Sequence, residues 1–469
     1  MTMILSRREM LSSAACGFGS LALSAMCGDL ATAGAGASPL AAKAPHFAAR
    51  AKRVIFLFMA GGPSQVDMFD FKLRLAQGNG QPLPFSLPDA EATVGLANTR
   101  LLGPITRFSH QGESGLYMTD LWPEMARHAD ELCVLRAVES DSLNHPLATN
   151  LLHTGSLNAR VPSMGAWISY GLGTENQQLP SYLTIIPAEG EGNYGSAFLP
   201  AIHQGTPIQE VGINPNVAPI RNLSDPSVPP KLQRRRIDLI QEMNRRKLAR
   251  LKEDQQMEGV IESFELAFRM QTETPKLVDL SGESQAVKEM YGIGVAPTDQ
   301  FGRQCLLARR FAEAGVRFVQ VSLGGWDHHA GIKSALPNQL RISDKPIAGL
   351  ISDLKSRGLL EDTLVIWSGE FGRTPFSQDN SGSGDLGRDH NDKGFTVWMA
   401  GGGVRQGYVH GATDEFGFRA VDGKVHIHDL HATILHLLGI DHLRLTHRYI
   451  GRDFRLTDVY GRVVKDILS

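Results

Sequence analysis

Six short runs of β-branched, aliphatic and aromatic residues recur along the chain: Val54–Phe58, Cys133–Leu135, Tyr182–Ile186, Val316–Val321, Thr363–Trp367 and Phe395–Met399. They are nearly continuous rather than alternating, which is the pattern of strands covered on both faces. Helical stretches separate several of them. Gln304–Ala314 carries Leu306, Leu307, Phe311 and Ala314 near helical spacing and precedes one run; Leu340–Arg357 precedes the next. This alternation predicts an α/β three-layer sandwich with a mostly parallel central sheet. Two cores need apolar material. With 42% hydrophobic and 20% charged residues in 469, the chain has it, and a disordered chain is excluded.

The charges nearly cancel, 47 basic against 49 acidic, so there is no electrostatic footprint for nucleic acid and no polybasic anchor for a membrane. Four cysteines do not make a disulfide scaffold. Ser6-Arg7-Arg8-Glu9-Met10-Leu11 opens a weakly apolar run to Met26, and small residues follow at Ala31-Thr32-Ala33 and Ala35-Gly36-Ala37. That order is the one found in an export signal, and the paired arginines resemble the twin-arginine type. Residues 1–37 are therefore expected to direct the protein to the periplasm or outside the cell, with no stable membrane insertion. Beyond them stand Cys133 and Cys305, as buried thiols or as one disulfide. Asp70–Met118 is rich in Gly, Pro, Asn and Ser and reads as a long excursion near an active-site mouth. Lys231–Gln256 holds nine basic and four acidic residues in a helical pattern. It reads first as a solvated face and second as a cap that attracts an anion. No internal repeat is visible.

Acidic residues and histidines gather just after the apolar runs, where an open α/β sheet keeps its ligand site. Gly61-Gly62-Pro63-Ser64-Gln65-Val66-Asp67-Met68-Phe69-Asp70 follows the first run. Its glycines permit a sharp turn, Pro63-Ser64 a helix start with free N–H groups, and one helical turn would put Asp67 and Asp70 on one face. Gly324-Gly325-Trp326-Asp327-His328-His329 supplies a carboxylate and two imidazoles in three residues, donors suited to Zn, Mn or Fe. Ser368-Gly369-Glu370-Phe371-Gly372-Arg373-Thr374-Pro375 places a carboxylate at a strand end, where it needs a metal or Arg373 as partner. Gly387-Arg388-Asp389-His390-Asn391 adds a guanidinium suited to phosphate or sulfate and a third imidazole. Taken singly, each is open to a bland structural reading; together they point to a metal centre. Asp429–Gly439 fits a helix with Asp429 as N-cap and Gly439 as stop, its histidines structural or at a rim. Walker, dinucleotide, CxxC, HExxH and nucleophile-elbow motifs are missing from the sequence.

These clusters, in this order and together with Phe268-Arg269-Met270-Gln271, resemble the family known as domain of unknown function 1501, within the alkaline phosphatase/sulfatase superfamily. The likeness covers nearly all of the chain beyond the export segment. It implies an alkaline-phosphatase-like domain over 50–469 with a helical cap inserted at 227–275. It also implies hydrolysis of phosphate or sulfate esters with one or two divalent ions, Zn, Mn or Ca. By that resemblance Asp327, His329 and His390 look like ligands of one ion, and Asp67 and Glu370 like ligands of a second. Asp389 would orient His390 or bind metal itself. Arg373 or Arg388 would neutralise charge on the anion, and Ser64 and His328 would contact substrate. Two departures stand out. Glu370-Phe371 occupies the place where the superfamily commonly has Asp-His, so the second ion loses an imidazole. In Asn144–Gly155, His145 stands in the nucleophile's place, with no Cys or Ser there to become formylglycine. Either His145 contacts the metal or substrate, a Ser such as Ser142 substitutes, or metal-bound water attacks. The expectation is an exported metal-dependent hydrolase acting on a small anionic ester or a sulfated or phosphorylated glycan. Its rivals are a non-catalytic metal- or anion-binding protein and a phosphotransferase or mutase.

Overall fold

The computed structural model describes residues 39–85, 99–187, 190–209, 220, 223, 227–251, 255–378 and 384–469. Residues 1–37, the expected export signal, lie outside the described residues. Eleven strands frame the site: β1 (Arg53–Met59), β2 (Leu132–Glu139), β3 (Tyr182–Ile185), β4 (Thr206–Ile208), β5 (Phe318–Leu323), β6 (Thr363–Ser368), β7 (Gly372–Gln378), β8 (Gly387–Asn391), β9 (Phe395–Ala400), β10 (Tyr408–His410) and β11 (Val425–His426). Nine of them form one sheet in the order β10-β2-β9-β6-β1-β5-β3-β4, with β11 also pairing β2. All six apolar runs are strands of this sheet. Every pairing is parallel except those of β9, which runs against both β2 and β6.

Alternation within a strand feeds two cores. Ile55, Leu57 and Met59 of β1 enter one; Val54, Phe56 and Phe58 enter the other. Each such side chain, fully buried, contributes about 1.5–3 kcal/mol, so a polar residue at either register would be felt. Eight helices matter for the argument: α1 (Gln65–Met68), α2 (His145–Thr154), α3 (Met164–Leu172), α4 (Pro230–Leu251), α5 (Gln255–Val278), α6 (Asp299–Glu313), α7 (Ile332–Ser356) and α8 (Ile427–Leu437). Helices α6 and α7 cover the first face through Leu306, Phe311, Leu340 and Ile347; α2, α3 and α8 cover the second through Leu151, Trp167 and Ile434. The result is a three-layer α/β sandwich. Cys133 and Cys305 are buried free thiols belonging to opposite cores, so they do not pair. Helices α4 and α5 occupy the stretch expected to form a cap. Among the described residues no helix is long and apolar enough to cross a membrane.

Two local readings change. Asp429 is not the N-cap of α8: His426 is, its imidazole accepting from His428 N, while Asp429 sits three residues on and accepts the His426 N–H. The Glu370 and Arg388 clusters do more than follow an apolar run. They run into β7 and β8, which pair antiparallel as a separate two-stranded ribbon with His390 opposite Arg373. The ribbon explains the direction of β9. The chain leaves the end of β6, forms the ribbon there and re-enters the sheet from that same end, so β9 runs antiparallel to β6.

Candidate metal centre

Strands β6, β1 and β5 are neighbours in the sheet, so their C-terminal ends bring Glu370, Gly61-Gly62 and Asp327 to one place. Gly61 is needed there. It has φ of +118°, and a Cβ on it would lie 2.5 Å from Asp327 N. Gly387 plays the matching role on the ribbon, where a Cβ would lie 2.1 Å from the His329 carbonyl carbon. Close backbone approach at both points lets β8 deliver His390 against the loop that carries Asp327 and His329. The β2–α2 connection adds His145, the first residue of α2, whose N-cap Asn144 accepts from Leu147 N.

Side-chain donor atoms of His145, Asp327, His329 and His390 all lie within 4.8 Å of one another. Asp327 Oδ1 is 2.8 Å from His329 Nε2 and 3.3 Å from both His145 Nε2 and His390 Nε2; the last two imidazole nitrogens of the set, His329 Nε2 and His390 Nε2, are 2.8 Å apart. The far nitrogen of each ring settles its tautomer. His390 Nδ1 donates to Leu143 O at 2.6 Å, His329 Nδ1 to Gln378 Oε1 at 2.5 Å, and His145 Nδ1 to Glu370 Oε1. Each acceptor therefore turns a lone pair of Nε2 inward. Three imidazole nitrogens and a carboxylate oxygen facing one point need positive charge among them, supplied by a metal ion or, without one, by protons on the rings. His145 Nε2 shows the same need, being buried without a well-directed hydrogen-bond partner. Burial opposes a charge on His145, but Asp327 and Glu370 outweigh it and raise its pKa to about 9. Asp327 is held well below the usual carboxylate range: desolvation works against its charge, and the three imidazoles and Arg373 overcome it. For His390 burial prevails and the pKa is lowered. Phe371 packs against the rings of His145 and His390, with centroids 4.7 and 4.5 Å away, and fixes their planes.

The other expected site residues are placed differently. Glu370 is buried and accepts from Gly61 N at 3.0 and 3.1 Å as well as from His145, so it orients an imidazole rather than joining the converging set. Asp67 faces away: its carboxylate is gripped by Arg388 at 2.7 and 2.9 Å and also accepts from Ser64 Oγ and Ile105 N. Asp70 does not share that role, because it pairs with Lys72 and Thr413. Ser64 is buried with its hydroxyl turned onto Asp67, so it offers nothing to a substrate. Arg388 is fully buried, and its five donors are all engaged, by Asp67 and by the carbonyls of Leu102, Gly103 and Thr374. It has no donor left for an anion. Arg373 is equally buried and binds the carbonyls of Gly61, Gly62 and Arg388 plus Asp327 Oδ1 at 2.5 Å, so it positions Asp327. Asp389 is buried and accepts the His390 N–H through Oδ1. His328 is buried; desolvation first and Arg373 second lower its pKa to about 4. Gln378 and the Leu143 carbonyl were not foreseen. A lone amide and a backbone oxygen carry no sequence signal.

A donor set of three imidazoles and one carboxylate could hold a divalent metal ion. Calcium and magnesium prefer all-oxygen surroundings.

A family model described as "Protein of unknown function (DUF1501)" matches residues 51–468. The chain belongs to that family. No curated protein matches it. Among solved structures, this DUF1501 chain is similar to the PsFucS1 sulfatase of Pseudoalteromonas sp. at 14% identity and a TM-score of 0.34, over 83% of this chain and 68% of that one. The lipoteichoic acid synthase LtaP of Listeria monocytogenes matches at 10% identity and a TM-score of 0.35, over 92% and 80%. The alkaline phosphatase of the Antarctic bacterium TAB5 matches at 11% identity and a TM-score of 0.32, over 84% and 99%. Similarity at that level says nothing of the reaction, which has to be read from the centre itself.

Proposed function

We propose that the protein is an exported, metal-dependent hydrolase of phosphate or sulfate esters, with one divalent cation held by His145, Asp327, His329 and His390. The observation that supports this most is the convergence of three imidazole nitrogens and an Asp327 oxygen within 4.8 Å of one another, each ring anchored by an acceptor on its far side. A cation bound there would act as a Lewis acid on an ester oxygen and lower the pKa of a water towards 7. The chain's own residues do the rest. Arg373 holds Asp327 from behind, Glu370 holds His145, and the exposed edge of Asp327, with its side chain 44% accessible, opens the centre to an incoming ester. His145 is committed to Glu370 and the converging set, so attack is assigned to water and not to a side chain. One ion rather than two follows from Asp67, whose charge is already answered by Arg388.

Metal analysis of the purified protein tests this, together with chelated protein assayed on chromogenic phosphate and sulfate monoesters and diesters after Zn, Mn or Ca is added back. The expected result is one equivalent of Zn or Mn and hydrolysis abolished in Asp327→Ala and His329→Ala. Hydrolysis unchanged in both variants would overturn the reading. A second reading, metal or anion binding without turnover, draws on the enclosure of Arg373 and Arg388, which leaves neither guanidinium free to meet a reacting oxyanion. It predicts the same metal stoichiometry with no turnover on any ester of the panel.

A further inference from the structure

A cleft of about 530 Å³, lined by both apolar and polar surface, adjoins the loop that leads into the centre, a volume within the range of small-ligand sites. One wall is a run of stacked rings. His426 lies on His428 with centroids 4.9 Å apart and planes at 30°; His428 lies on Tyr460 at 5.0 Å and 25°. The imidazoles are locked from behind. His428 Nε2 donates to Gly155 O at 2.9 Å and His426 Nε2 to Asp141 Oδ2 at 3.1 Å. Tyr460, by contrast, is 60% exposed. The turn that presents it bends through left-handed backbone at Asp458, φ +46°, and Gly461, φ +94°, where a Cβ would lie 3.0 Å from His428 O. A large ring held on a strained surface turn, parallel to a fixed imidazole, is not accounted for by core packing.

The charges sort what this cleft would accept. Asp141 is half-exposed and Asp429 lies beneath, while Arg462 is the cation on the wall, with Nη2 3.5 Å from Asp429 Oδ2. Two carboxylates against one solvated guanidinium disfavour a phosphate or sulfate group. A flat ring edged by a carboxylate acceptor and a guanidinium donor matches the C–H face and vicinal hydroxyls of an uncharged sugar. The β2–α2 connection joins the cleft to the centre. Asp141 and His145 are four residues apart, about 14 Å at full extension. Between them Leu143 O accepts from His390 Nδ1, and the preceding Ser140 N donates to Asp392 O at 2.8 Å.

We propose that this cleft seats an uncharged sugar ring of an oligosaccharide ester whose charged group goes to the His145–Asp327–His329–His390 centre. The proposal rests on the ester-hydrolase reading and narrows its substrate class to glycan esters. Calorimetric titration of the full chain with neutral hexasaccharides of cellulose, chitin and agarose tests it, alongside hydrolysis of para-nitrophenyl phosphate and sulfate. We expect at least one hexasaccharide to bind, Tyr460→Ala to weaken that binding about tenfold, Tyr460→Phe to retain it, and hydrolysis of the aryl esters to be the same in all three proteins. Failure of all three sugars to bind, or binding indifferent to Tyr460→Ala, overturns the proposal. The two readings fail separately. Aryl-ester hydrolysis without sugar binding removes the cleft and leaves the hydrolase; sugar binding without hydrolysis keeps the sugar site and removes the hydrolase beneath it.

Discussion

Replacing Arg388 by Met separates a structural guanidinium from a substrate-binding one. Arg388 and Asp67 have no accessible side-chain surface. Taking one partner from a buried, well-bonded pair costs about 3–5 kcal/mol, because the remaining charge has no water to turn to. Loss of the donors to Leu102 O, Gly103 O and Thr374 O adds to this, at about 1–3 kcal/mol for each carbonyl that water fails to reach. A total of at least about 4 kcal/mol is a large share of the ordinary 5–15 kcal/mol of folding stability. With a urea dependence of about 3 kcal/mol/M, the unfolding midpoint should fall by more than about 1 M. Fluorescence reports it, since Trp122, Trp326, Trp367 and Trp398 pack together in the core. Asp67→Asn should cost a similar amount. The double variant should lose about 2 kcal/mol less than the sum of the two, since neither charge is then stranded. An unshifted midpoint in Arg388→Met together with lost ester hydrolysis would refute the reasoning and return Arg388 to the substrate.

Three further outcomes are expected. Glu370→Gln should weaken Zn or Mn binding about 10–100-fold, because the imidazole of His145 loses the carboxylate that orients it; calorimetric affinity equal to that of the unaltered protein would exclude that role. The pKa of His153 is lowered to about 4, and those of His203 and His431 to about 3, each chiefly by burial. The unfolded chain therefore binds more protons than the fold below the ordinary histidine value of about 6.5. Stability present at neutral pH is then lost as pH falls from 6.5 through 4 towards 3, by roughly 3–5 kcal/mol for each histidine at most. Urea midpoints that stay level between about pH 7 and pH 4.5 would contradict this, and His431→Gln should reduce the slope. Finally, Arg7→Lys with Arg8→Lys should retain the protein in the cytoplasm of a bacterial host on fractionation; export at the unaltered level removes the twin-arginine assignment.

Much of the architecture was legible because burial on both faces leaves a local mark. Runs such as Val54–Phe58 and Thr363–Trp367 can satisfy their side chains only between two layers, so their place in a central sheet follows from composition over a few residues. A metal centre at the strand ends was suggested by acids and histidines that are costly there unless something charged meets them, while the grouping of Asp327, His329 and His390 came from the family resemblance. What neighbours a side chain in space leaves no such mark. Asp67 and Glu370 look alike in sequence, each a carboxylate after an apolar strand. The fold turns one onto Arg388, 321 residues away, and the other onto His145 and Gly61. Arg373 and Arg388 read as anion-binding residues until the ribbon of β7 and β8 encloses both, at which point their donors are consumed by carbonyls. The ribbon itself was hidden, since Gly, Arg, Thr and Pro give a strand no apolar signature when it pairs outside the main sheet. The sequence alone determined a two-sided α/β sheet and which residue types gather at its rim. Only the tertiary structure decided which of those charges face one another, because electrostatic partnership depends on distance in space and burial, and neither is encoded in any local stretch of chain.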